Sequence, residues 1–141
     1  MFLRKRKELL VLLSLVLLIV SFAAARPRKM QRRVLGTWGG EHISIQISGG
    51  SASIEYDCAR GTINAPLTLG TKGHFTWRGY HIRERGGPVR RDEKPNGRPA
   101  IFDGGIQGNI MTLTVTLPDS NESLGTFTLT RGDQGKLWKC K

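Results

Sequence analysis

Between Trp77 and Arg91 the chain gathers its richest set of reactive side chains: His81, Arg83, Glu84, Arg85, Arg90 and Arg91. In an extended segment, two-residue spacing puts His81, Arg83 and Arg85 on one side. There an imidazole and two guanidinium groups can bind a carboxylate, phosphate or sulfate. His81 titrates near neutral pH and could move a proton. No nucleophile with a paired base is recognisable from spacing, however, and His42, His74 and His81 are too dispersed for a metal site. The segment therefore reads as a solvated strand end able to contact an anion. It predicts no enzymatic activity, no metal and no cofactor. Trp77 and Tyr80 beside it are candidates to line a cavity for a flat or apolar ligand. Gly86-Gly87 and Gly104-Gly105 are turn and bulge devices, since neither opens a helix nor precedes the Lys-Ser/Thr pair of a phosphate loop.

The elements that must position these groups are strands. Ile43, Ile45 and Ile47 alternate with His42, Ser44, Gln46 and Ser48, Gly49-Gly50 allows a reversal, and Ala52, Ile54, Tyr56 and Cys58 resume the alternation. This pattern predicts a β-hairpin. Further strands are expected over 61–69, interrupted by Pro66, and over 74–83, 100–106, 109–117, 124–131 and 137–140. In 74–83, Phe75 and Trp77 share a face, and Gly79 is expected to mark a bulge that brings Tyr80 and Ile82 onto it. The segment 85–99, poor in apolar side chains, is the one long loop and a candidate lid. About eight short strands joined by tight turns predict an all-β fold, a small antiparallel up-and-down barrel or a flattened sandwich. Closure removes the exposed edges. An eight-stranded barrel can be filled by side chains or left open for one small ligand, and the pattern is compatible with both.

Residues 1–25 place Arg4, Lys5, Arg6 and Lys7 before an apolar run from Leu9 to Phe22 and then Ala23-Ala24-Ala25, the order of a secretory signal peptide. A cut after Ala25 is expected; an uncleaved membrane anchor is the alternative, since the apolar run is at the short end of a bilayer span. Cleavage takes four basic side chains and Glu8 with it, lowering the net charge from +11 to +8. Residues 26–35 then form a basic flexible leader carrying Arg26, Arg28, Lys29, Arg32 and Arg33, ahead of a single domain over 36–141. Such a leader suits an anionic envelope component. No aromatic residue interleaves it, which argues against nucleic acid. Cys58 and Cys140 are the two cysteines of the chain. In an exported protein they are expected to pair, closing a loop of about 80 residues worth roughly 4 kcal/mol in the chain-entropy model. Trp138 is expected to cover the bond.

Gly36-Thr37-Trp38 resembles the G-x-W signature that opens the first strand of lipocalins, avidins and other calycin-type barrels. That resemblance implies that Trp38 closes one end of a lipocalin-like barrel beneath a basic side chain of the final strands, here Arg131. The lipocalin T-D-Y element and the biotin-binding cluster of avidins are missing. Tyr56-Asp57-Cys58 with a terminal Cys140-Lys141 looks like the Y-x-C and C-terminal cysteine of small periplasmic lysozyme inhibitors, and inhibitors of secreted metalloproteases also combine a G-x-W with one disulfide. A domain of charge +8 would be repelled by a basic lysozyme. The chain is also similar to uncharacterised exported bacterial proteins with a G-T-W-G-G opening and a G-G-P-V-R loop, here 36–40 and 86–90.

The expectation is thus a periplasmic or extracellular, monomeric, non-enzymatic barrel that binds a small amphipathic or anionic ligand, with Trp38, Trp77, Tyr80, His81, Arg83 and Arg131 as contact candidates. The alternative is an inhibitor or envelope-associated module that binds a protein partner through its basic tail and long loop.

Overall fold

The computed structural model describes residues 2–22, 31–84 and 97–140, in two units that divide between Met30 and Gln31. In the first unit, α1 (Phe2–Phe22) carries Arg4, Lys5, Arg6, Lys7 and Glu8 near its start. No helix among the described residues is long and apolar enough to cross a membrane.

In the second unit the two-residue periodicity becomes β structure. The strands are β1 (Arg32–Arg33), β2 (Gly36–Gly40), β3 (Ile43–Ile47), β4 (Ala52–Tyr56), β5 (Ala59–Ile63), β6 (Thr68–Leu69), β7 (His74–Arg83), β8 (Arg98–Gln107), β9 (Ile110–Leu117) and β10 (Glu122–Arg131). Eight of them close into an antiparallel up-and-down barrel in the order β2-β3-β4-β5-β7-β8-β9-β10 and back to β2, while β1 and β6 pair as a separate strip. The inward positions form one apolar core that includes Trp38, Ile45, Ile54, Trp77, Phe102, Leu113 and Leu129. Val34 and Leu67, flanking the β1–β6 strip, are buried in the same core and are joined by a hydrogen bond from the Val34 amide to the Leu67 carbonyl. Cys58 and Cys140 are disulfide-bonded.

The count of eight strands is reached by a different set from the one the sequence suggests. Gly36–Gly40 is a strand of its own, set off from β3 by Glu41 and His42. Residues 137–140 are not a strand; the β pairing of the tail is a parallel bridge between Lys136 and Glu41. The expected strand over 61–69 is split, because the chain leaves the barrel after Ile63 and Pro66 precedes the short β6. Arg32 and Arg33, placed by their charge in the leader, pair with Thr68 and Leu69.

Gly79 makes no bulge. The β7–β8 register runs without a shift from His74↔Gly105 to His81↔Arg98, so Phe75, Trp77 and His81 face inward while Tyr80 faces out, 49% exposed. The glycine is required for another reason: a Cβ there would lie 2.1 Å from the Thr62 carbonyl oxygen of β5, so its absence lets the wall bend.

The barrel closes on a short seam. β10 meets β2 through only two register pairs, Thr130↔Gly39 and Arg131↔Trp38. Beyond it the tail continues along β2, with the Gly132 amide donating to the Thr37 carbonyl and the Lys136 amide to that of Gly40. A Cβ on Gly39 would fall 2.2 Å from the Gly135 nitrogen. Gly39 of the G-T-W-G-G opening thus makes room for the tail, and Gly40 for the Thr128 carbonyl of β10. Over the seam, the Arg131 guanidinium carbon lies 5.0 Å from the Trp38 ring centroid, a cation–π contact.

Candidate functional site

Because successive barrel strands alternate in direction, the β2–β3, β4–β5, β7–β8 and β9–β10 connections all emerge at one end of the barrel. That end is where polar groups enter an otherwise apolar interior. Tyr56, the last residue of β4, points inward at 7% exposure, and His81 points inward from β7 at 9%. Their ring centroids are 5.5 Å apart, and Phe127 of β10 lies 5.8 Å from Tyr56. Tyr56 Oη and His81 Nδ1 are buried without a hydrogen-bond partner among the described residues. A buried polar atom left unpaired costs about 1–3 kcal/mol; two of them lie at this end of the barrel, and a third, Trp38 Nε1, lies at the seam.

The environment sets both protonation states. Burial pushes the Tyr56 phenol well above its ordinary value, so it remains a hydroxyl. Burial, then the Arg83 and Arg98 guanidinium groups, hold the His81 pKa below 6.5, with Glu122 acting weakly the other way. At neutral pH the ring is therefore uncharged, one nitrogen able to donate and the other to accept. The two arginines differ. Arg98 is held by Asp119 at 2.9 and 2.7 Å, by Ser120 at 2.7 Å and by Glu122 at 3.4 Å, which pins the start of β8 to the β9–β10 turn. Arg83 is exposed and makes no ion pair among the described residues.

The tail fastens to the same rim. The Trp138 amide donates to Asp57 Oδ1 at 2.8 Å and His42 Nδ1 donates to Asp57 Oδ2. The Lys139 ammonium group reaches Glu55 at 2.7 Å, the Tyr56 carbonyl at 3.1 Å and Glu84 at 3.7 Å. The Trp138 ring lies against His42 at 4.7 Å and is largely exposed. A His–Asp pair can serve acid–base chemistry, but among the described residues no hydroxyl or thiol side chain hydrogen-bonds to His42, and the pair is best understood as part of the fastening.

That fastening is expected to be acid-sensitive. The Trp138 amide, then His42, depress the Asp57 pKa below 3.8. On acidification the unfolded or released carboxylate takes up its proton first. The stabilisation is therefore complete above about pH 4 and is lost as pH falls through the depressed value. Trp138 emission followed from pH 6 to pH 2 is expected to report release of the tail on a limb that Asp57→Asn lacks, since the variant amide does not titrate; an unchanged limb in the variant would assign the transition to another group.

The sequence candidates do not form one cluster. His81 and Arg83 stand at the rim. Trp38 and Arg131 are at the seam near the other end, with Trp38 fully buried. Trp77 is a core residue, stacked on Phe75 at 3.7 Å and donating from Nε1 to the Thr68 carbonyl at 3.0 Å. Tyr80 is on the outer surface. Residues 85–96, most of the expected lid, lie outside the described residues, and Arg98 and Pro99 belong to β8. Tyr56, Arg98 and Phe127 are site residues that the sequence reading passed over. Tyr56 carried a signal, as the one inward position of its strand with a polar atom to satisfy. No family model matches this chain, and no curated protein or solved structure is significantly similar to it.

Proposed function

We propose that the chain is an exported, non-enzymatic barrel that holds one small amphipathic or anionic molecule at the end ringed by Tyr56, His81 and Phe127. The observation that carries this reading is the pair of unpartnered polar atoms, Tyr56 Oη and His81 Nδ1, on rings 5.5 Å apart inside an apolar wall. A ligand whose apolar body packs on Phe127 and whose polar end meets the hydroxyl and imidazole would satisfy both, with Arg83 at the rim favouring an anionic group. Export is supported by the signal-like order of residues 1–25 and by the disulfide.

The reading makes an unusual demand on mutants. Tyr56→Phe removes an unsatisfied hydroxyl, so it is expected to raise the stability of the empty protein by about 1 kcal/mol while weakening the ligand about tenfold. Anilinonaphthalene sulfonate, an amphipathic anion, serves as the probe: fluorescence titration gives affinity, and urea denaturation of the same protein gives stability. A variant that is less stable and binds the probe as well as wild type would sink the reading. A protein-binding role draws on a different observation, the exposed Trp138 ring braced on His42, since tryptophan commonly anchors interfaces. Native mass spectrometry of protein recovered from an expressing cell envelope separates the two by the mass that stays bound.

A further inference from the structure

Most carboxylates of the barrel lie toward one end, with Asp103 midway along β8 and Asp133 just after β10 as exceptions. Glu41, Asp57, Glu84, Asp119 and Glu122 lie in or beside the connections at the Tyr56–His81 end. At the opposite end the connections over 48–51, 64–73 and 108–109 contain no acidic residue. They and the incoming chain present exposed Arg32, Arg33 and Lys72, with Arg131 at the end of β10. The pairings hold these together. Arg32 and Arg33 pair with β6, Lys72 follows β6 in a tight turn, and the Arg131 amide donates to the Asn109 carbonyl. Among these cations stand two large apolar side chains that the fold leaves in solvent, Leu35 at 50% and Ile110 at 43% exposure. Arg26, Arg28 and Lys29 precede this pole directly in sequence.

From this segregation we infer that the pole formed by Arg32, Arg33, Leu35, Lys72, Ile110 and Arg131 docks on an anionic phospholipid surface, with the Tyr56–His81 end turned away from it. Basic side chains are drawn to the negative potential of the headgroups within a Debye length, while Leu35 and Ile110 are placed to enter the interfacial layer between them. This inference stands apart from the ligand reading, since it uses none of the same residues.

Flotation of the full chain with phosphatidylglycerol-containing vesicles, compared with pure phosphatidylcholine vesicles, tests it. Wild type is expected to prefer the anionic vesicles and to lose that preference with added salt. Each basic side chain near such a surface contributes about fivefold, so Arg32→Gln, Arg33→Gln and Lys72→Gln together are expected to weaken binding about a hundredfold. α1 and its own basic residues are identical in both proteins, so their contribution cancels in the comparison. Leu35→Asn is expected to weaken binding while leaving its salt dependence in place. Equal flotation of wild type and the triple variant, or wild type binding both vesicle types alike, overturns the inference. So does equally tight, equally salt-sensitive binding to a DNA duplex, which would mark a general polyanion contact.

Discussion

Replacing Trp38 by alanine is expected to lower the unfolding free energy by about 3–5 kcal/mol, the range for removing a large aromatic side chain from a packed interior. Trp38 has no exposed surface, and it sits on the strand that carries the closing seam. Its loss opens a cavity beneath the two register pairs that join β2 to β10 and removes the ring over which Arg131 is held. Neighbouring strands cannot collapse into the space without breaking closure, which places the expected cost toward the upper end. Equilibrium denaturation in urea gives the number. A cost below about 1 kcal/mol would mean that the seam relaxes freely and that closure does not depend on this residue.

Loss of the disulfide comes next in size. Cys58→Ser with Cys140→Ser, or chemical reduction of the wild type, is expected to cost about 2–5 kcal/mol, because the bond joins residues 82 positions apart. The effect should divide unevenly over the molecule. The Cys140 amide contact to the Asp57 carbonyl and the Lys139 contacts to Glu55, Tyr56 and Glu84 lose their covalent anchor, so Trp138 emission should change before the β signal in circular dichroism does. A single coincident transition in the reduced protein would show instead that the tail and the barrel unfold as one unit.

What the sequence could convey follows from which forces are local. Strand alternation is a local signal. β3, β4, β7, β9 and β10 are therefore readable within a residue or two, and the up-and-down barrel follows from their number and the short turns. Gly79 was misleading because a glycine in a strand signals either a bulge or a close approach; only the position of the Thr62 carbonyl, on a neighbouring strand, decides between them. The same error carried Tyr80 to the wrong face and hid the inward turn of His81 toward Tyr56. Residues 137–140 look like a strand because Leu137 and Trp138 are apolar, but their partners are the Asp57 carboxylate and carbonyl rather than a ladder. The unpaired state of Tyr56 Oη and His81 Nδ1 has no local signature at all. It depends on what the other walls fail to offer, and that is known only when the barrel is closed.

The seam also governs how the molecule can be assembled. β2 lies at the start of the barrel sequence and its partner β10 at the end, so a chain made from its N-terminus carries an unpaired edge along β2 until β10 has been made. An incomplete copy, lacking β10 and the residues after it, has that edge bare and adhesive to other chains, and its Cys58 has no mate. Oxidation of the two cysteines to a single intramolecular pair thereby records that the chain as far as Cys140 has arrived and found the β4–β5 connection.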